Sequence, residues 1–229
     1  FKYIKAYKIG SGDVNWREII NKISQKKKPI IVATGASNLN EVKSTINLIY
    51  KKNKKIILMQ CNTNYTSNEE NFKHINLNVL KTFKKIFKDK IILGLSDHTQ
   101  GHSTVLGAVT IGARVIEKHF TDSNNRKGPD HYFSLNPITW AEMVKETRRL
   151  EKALGTGKKI VEKNEKKTNF IQRRGSYAIR EIKKNETIKI NDIIFLRPYF
   201  KGSISPFTNK KTFGKSKKDI IKGQFVFKK

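Results

Sequence analysis

The sequence predicts an α/β fold: a parallel sheet or barrel of repeating β-α units, followed by a small, mostly β second domain. Two observations predict it. From residue 5 to about 150, short apolar runs alternate with helix-length amphipathic stretches, the order that yields parallel strands with right-handed crossovers. From Arg173 onward the texture changes to brief alternating runs separated by turns, which reads as short antiparallel strands.

The expected strands are Ala6-Tyr7-Lys8-Ile9, Pro29 to Ala33, Lys55 to Gln60, Ile91 to Leu95 and Arg114 to His119. All are rich in β-branched residues and nearly continuous in apolar character, as parallel strands buried on both faces are. Helices are expected over roughly 15–26, 39–52, 75–88 and 102–112; Ile19, Ile20 and Ile23 mark one face of the first, and Val42, Ile46 and Ile49 one face of the second. A further helix over 138–154 follows Pro137, with Thr139 as its expected cap and Glu142 three residues on. It stops at Gly155-Thr156-Gly157, and the polar stretch after it reads as a linker over 158–170. In the second domain, 171–229, the expected strands are 176–179, 187–190, 193–196 and 224–227. The first domain, 1–157, holds five β-α units, fewer than the eight of a closed barrel. The expectation is an unusual open sheet, or a barrel whose earlier units lie outside this sequence.

Composition narrows the function classes. The 229 residues carry 37% hydrophobic residues, 13 Phe and two Trp, enough for a packed core. No apolar run approaches the ~20 residues that span a bilayer, and Phe1-Lys2-Tyr3-Ile4 has neither an initiator Met nor a signal-peptide pattern. The single Cys61 excludes an internal disulfide and suits a reducing compartment. The expectation is a soluble, cytoplasmic protein. The net charge of +29 raises nucleic-acid binding, but only nine of the 48 basic residues are Arg and the Lys are scattered through every segment. That is the pattern of a compositional drift toward Lys, Asn and Ile, and neither a nucleic-acid nor a membrane partner is expected.

Functional groups in α/β folds gather at the C-terminal ends of the strands. Those ends read Lys8-Ile-Gly-Ser11-Gly-Asp13, Ala33-Thr34-Gly35, Cys61-Asn62-Thr63-Asn64-Tyr65, Leu95-Ser96-Asp97-His98-Thr99 and Glu117-Lys118-His119-Phe120-Thr121-Asp122. His98 and His119 end consecutive strands, which usually lie side by side about 5 Å apart, so two imidazoles at matched height can share one divalent cation. A lone His is more often an ordinary core or surface residue, and His74, His102 and His131 keep that reading. Lys8, Ser11 and Ser96 are candidate anion ligands, and Gly10 and Gly12 allow close backbone approach to a phosphate or carboxylate. Asp130, in Gly128-Pro129-Asp130, reads equally as a turn cap.

Taken in order, the strings Lys-Ile-Gly-Ser-Gly-Asp (8–13), Ala-Thr-Gly (33–35), Gly-Leu-Ser-Asp-His-Thr (94–99), Glu-Lys-His-Phe-Thr-Asp (117–122), Gly-Pro-Asp-His (128–131) and Ser-Leu-Asn-Pro (134–137) resemble the sialic acid synthase family. The family includes the synthases for legionaminic and pseudaminic acids. Residues from Arg173, with Arg-Pro at 197–198 and Phe-Gly-Lys at 213–215, resemble its C-terminal antifreeze-like (SAF) domain. The resemblance implies a partial TIM (β/α)8 barrel, strands four to eight, and an enzyme that condenses phosphoenolpyruvate with N-acetylmannosamine or a related acetamido sugar aldehyde. It further implies Mn²⁺ or Mg²⁺ on His98 and His119, and phosphoenolpyruvate on Lys8, Ser11 and Ser96. Asp13, Tyr65 and Asp130 would contact the sugar, with Lys8, Asp13 and Asp130 in catalytic roles. Arg197 would reach a partner subunit's barrel, which makes the family a domain-swapped homodimer.

Some positions depart from the family pattern. Asp13 stands where Glu is also common, Ala33 where some members carry Ser, and the strings Cys-Asn-Thr-Asn-Tyr and Arg-Pro-Tyr replace more usual ones. The family's first three strands are absent, so residues 1–229 made alone are expected to be inactive and poorly soluble. The contrasting reading is a sugar- or anion-binding relative that keeps the fold without turnover.

Overall fold

The computed structural model describes residues 3–227, which divide into two compact units, 3–157 and 158–227. In the first unit the strands are β1 (Tyr7–Ile9), β2 (Ile30–Ala33), β3 (Ile56–Cys61), β4 (Ile92–Asp97) and β5 (Val115–Lys118). The helices are α1 (Arg17–Ser24), α2 (Leu39–Tyr50), α3 (Val79–Phe87), α4 (Ser103–Ile111) and α5 (Pro137–Leu154). The strands pair in sequence order, every pair parallel. Sequential order with crossovers of one hand puts the connecting helices on one face of the sheet.

Alternation along the strands divides their side chains between the two faces. Ile9, Val32, Leu58, Leu93 and Leu95 turn toward the helices and join Ile20, Ile46, Ile49, Leu80 and Phe83 in one core. Burying each such side chain contributes about 1.5–3 kcal/mol. The other face carries Lys8, level with Ile31, and Cys61, level with Ser96, which is in turn level with Glu117. In a flat sheet β1 and β5 lie about 19 Å apart, farther than two extended side chains reach, yet Lys8 Nζ is 3.2 Å from Glu117 Oε1. The sheet is therefore curled into a half-barrel with these residues on its concave side.

Capping corrects one expectation. Asn136, not Thr139, caps α5: its side chain accepts from the Ile138 and Thr139 backbone N–H groups, and the Thr139 hydroxyl accepts from Asn136 N at 3.0 Å. Pro137 takes the first helical position, which its fixed φ favours, so the cap falls one residue before it. The third helix starts at Val79 because Asn76 adopts φ 48, while Glu69–His74 form a 3-10 helix.

In the second unit β6 (Gly175–Ala178) pairs antiparallel with β8 (Ile193–Leu196), and β7 (Thr187–Lys189) pairs antiparallel with β9 (Thr212–Lys215). Their core gathers Ala178, Ile182, Ile188, Ile193, Ile204, Ile220 and Val226. Two expectations are corrected here, and one strand was not expected at all. Part of the stretch read as a linker forms α6 (Lys166–Gln172), whose Phe170 packs edge-on against Phe200 at 5.1 Å. Residues 224–227, expected as a strand, make only single bridges from Phe225 to Tyr177 and from Phe227 to Ser203. Strand β9 escaped prediction because its one apolar side chain, Phe213, leaves no alternation to read. Among the described residues no helix is long and apolar enough to cross a membrane.

Candidate active site

His98 and His119 are the first residues beyond β4 and β5, whose register runs to the pair Asp97 and Lys118. Matched register places the next residues at one height on the concave face, and the two rings lie 5.0 Å apart between centroids at 74°. Tyr65, from the loop after β3, lays its ring 4.3 Å from that of His98 and 5.5 Å from that of His119. Phe133 packs 5.0 Å from His119 on another side.

The buried His98 has its Nδ1 2.7 Å from the carbonyl oxygen of Asn62. A carbonyl only accepts, so Nδ1 carries the proton and donates, leaving the Nε2 lone pair free. Burial, and then the neighbouring His98, holds the His119 imidazole below its ordinary pKa, opposed by Asp130 and Glu117. That shift favours the neutral ring, which has a lone pair to offer. A cation about 2 Å from one nitrogen of each ring lies roughly 3 Å from each ring centre, which puts rings sharing it about 4.5–5 Å apart. The observed spacing fits. Among the described residues no group of three or more His, Cys, Asp and Glu side chains is placed to hold a metal ion, so a cation held by this pair would need its remaining ligands from water or substrate.

Beside the imidazoles lies a charged cluster. Lys8 pairs with Glu117, and the buried Ser96 donates to the same carboxylate oxygen at 2.9 Å. Glu117 is a candidate site residue that sequence reasoning passed over. It stands two residues before His119 on the same strand face and level with Ser96, a placement that alternation alone could have flagged. Ser11 accepts from Gly35 N at 2.9 Å, which ties the turn after β1 to the turn after β2. A Cβ at Gly35 would fall 2.5 Å from Thr63 Cγ2 and 2.9 Å from Ser11 Oγ, so only glycine permits this approach. Asp13 is exposed at the end of the 3-10 turn Ser11–Asp13.

Asp130 comes from the loop between β5 and α5, with its Oδ2 3.7 Å from His119 Nδ1. Asn124 holds that loop, donating to the carbonyls of His131 and Ser134 at 2.8 Å each. His131 itself is engaged with the Thr121 hydroxyl at 2.7 Å. The structure thus gathers Lys8, Ser96, Tyr65, His98, His119 and Asp130 on one face, with Ser11 and Asp13 on the adjoining strand-end turn. Arg197 belongs to the second unit, where its Nε donates to the Gln172 carbonyl.

The profile of the NeuB family matches residues 2–159. The chain belongs to the NeuB family. It is similar to the N,N'-diacetyllegionaminic acid synthase of Campylobacter jejuni, at 37% identity over 85% of this chain and 58% of that protein. It is also similar to the pseudaminic acid synthase of the same organism, at 33% identity over 94% of this chain and 61% of that one. The chain therefore spans about three-fifths of the length of these NeuB-family relatives. The fold recurs in the crystal structure of a spore coat polysaccharide biosynthesis protein E from Chromobacterium violaceum, which matches 98% of this chain and 66% of its own with a TM-score of 0.76 at 21% identity.

Proposed function

We propose that this chain carries the active-site half of a nonulosonic acid synthase, which joins phosphoenolpyruvate to N-acetylmannosamine or a related acetamido sugar aldehyde and releases phosphate. The observation that carries this reading is the 5.0 Å histidine pair set beside the Lys8–Glu117–Ser96 cluster on one concave face. Membership of the NeuB family supports it, as do relatives named as legionaminic and pseudaminic acid synthases.

The residues divide the work by charge. Lys8, with the hydroxyls of Ser11 and Ser96, binds and orients phosphoenolpyruvate, whose negative charge Asp13 and Asp130 would otherwise repel. Tyr65, Asp13 and Asp130 hold the sugar. His98 and His119 hold Mn²⁺ or Mg²⁺, which supplies Lewis-acid stabilisation of charge on the aldehyde oxygen when bound. The C3 of phosphoenolpyruvate attacks the aldehyde carbon, forming the new C–C bond while the aldehyde oxygen gains a proton. Water adds to C2 and loses one proton, and the C2–O bond to phosphate breaks as the new C2 hydroxyl gives its remaining proton to the departing phosphate, leaving a 2-keto acid. Glu117 and Asp130 are the carboxylates placed to carry those protons. Arg197 extends the sugar site across a domain-swapped homodimer, and the work is done in the cytoplasm.

The test is phosphate release on mixing a full-length synthase that carries these residues with phosphoenolpyruvate, Mn²⁺ and acetamido sugar aldehydes. Phosphate formed in step with aldehyde consumption, and lost in Lys8→Ala and His98→Ala, is the expected result. Tight binding of sugar and phosphoenolpyruvate with no phosphate released would overturn it in favour of a non-catalytic binding protein.

A further inference from the structure

Directly behind the histidine pair lies a group of charges to which the proposed reaction gives no role. Asp97 precedes His98 and Lys118 precedes His119, so alternation turns both side chains to the helix-facing side of the sheet. Lys118 Nζ lies 2.7 Å from Asp97 Oδ2, and the side chains are 1% and 0% exposed. The ammonium also donates to the Thr99 carbonyl at 2.5 Å. Lys118 therefore grips the residues on both sides of His98 while itself adjoining His119. The carboxylate is filled as well: Oδ2 accepts from the Thr104 hydroxyl at 2.5 Å, and Oδ1 from the Thr99 backbone N–H at 3.1 Å and hydroxyl at 3.0 Å. Thr104 lies in the first turn of α4, so the network also ties that helix to the strand end.

Stability alone does not account for this arrangement. Withdrawing two charges from water costs several kcal/mol per ion, and well-packed apolar side chains of similar volume usually serve folding as well or better. What an apolar pair cannot supply is direction. Hydrophobic contact is non-directional, whereas charge-assisted hydrogen bonds fix distance and angle. The β4–β5 ladder ends at Asp97 and Lys118, so pairing between these two strands stops one residue short of the imidazoles; the His119 carbonyl is held on its other side by Leu135 N at 2.9 Å, and neither bond sets its distance from His98.

We propose that the buried Asp97–Lys118 pair is a positioning clamp that sets the spacing of His98 and His119 and, through it, the affinity of the pair for a divalent cation. The inference rests on the metal reading above and goes beyond it, because it assigns the strength of the site to two residues that touch neither cation nor substrate.

The experiment is Mn²⁺ titration by calorimetry of the full chain and of the double variant Asp97→Leu/Lys118→Met, with folding checked by circular dichroism and thermal melting. Removing both charges together avoids stranding one. The expected double variant melts like the parent but binds Mn²⁺ about 10–100-fold more weakly, the usual effect of losing partners that orient metal-bound histidines. A folded double variant with the parent's dissociation constant would overturn the clamp while leaving the metal site standing. If the double variant does not fold, Lys118→Arg decides, since it keeps the charge but changes the distance and angle at which Asp97 and the Thr99 carbonyl are held. Weakened Mn²⁺ binding there supports the clamp, and unchanged binding overturns it. A parent chain that binds no Mn²⁺ sinks the metal reading and the clamp together.

Discussion

The two units draw on the same Lys-rich composition and treat charge differently. Around the strand ends of the first, Asp97 and Lys118 are sealed from water, and Lys8 and Glu117 meet at roughly two-fifths exposure, 39% and 38%. In the second, Arg180 bridges Glu186 and Asp192 while remaining 45% exposed, and Lys183 pairs with Glu181 in the open. The second unit's core is built of aliphatic residues, chiefly isoleucine. Among the described residues, charge is withdrawn as a complete pair only behind the imidazoles. Because desolvation makes such a pair a poor source of stability, its location marks where geometry is being specified.

That contrast can be broken most forcefully by stranding one charge in each unit. Lys118→Met leaves Asp97 buried and unpaired, and should cost the first unit about 3–5 kcal/mol in urea unfolding. Arg180→Met should cost the second unit far less, as expected for pairs with an exposed partner. Comparable losses in the two would erase the distinction. A smaller effect is expected on the concave face: Ser96→Ala removes one hydrogen bond to Glu117 and should cost about 1 kcal/mol of stability. Its main consequence should be a KM for phosphoenolpyruvate raised several-fold, and steady-state kinetics showing a fall in kcat alone would remove Ser96 from the anion site.

The smallest effect is a pH dependence confined to the second unit. The Arg180 guanidinium, and then the Lys183 backbone N–H, hold the Glu186 carboxyl below the usual glutamate range. A depressed carboxyl pKa contributes stability above the unfolded value of about 4.3, and that contribution is lost as pH falls through the folded value. Melting of the second unit should therefore weaken on acidification below about pH 4.3. Glu186→Gln should melt lower at neutral pH and show a shallower acid slope, and an unchanged slope would mean the pair is idle.

Much of this was legible in the sequence because apolar runs ending in polar strings locate strands and their functional ends together. The order of the five parallel strands, and the meeting of His98 and His119, follow from that local pattern plus the rule that consecutive parallel strands neighbour each other. What escaped depends on long-range shape. Glu117 gains its partner Lys8 only because the sheet curls, and no spacing within β5 encodes the curl. Helix α6 forms where Phe170 finds Phe200, thirty residues on. The cap of α5 was misplaced by one turn because Thr139 has the right chemistry, and only its partnership with Asn136 shows that it sits at the third helical position.

The account turns on a cation shared by two imidazoles, and the most direct measurement is the Mn²⁺ stoichiometry of the chain by electron paramagnetic resonance. The prediction is one bound Mn²⁺ per chain, abolished by His98→Ala and by His119→Ala and retained in His131→Ala. Equal Mn²⁺ binding by the parent and both strand-end variants, or none by the parent, would contradict it.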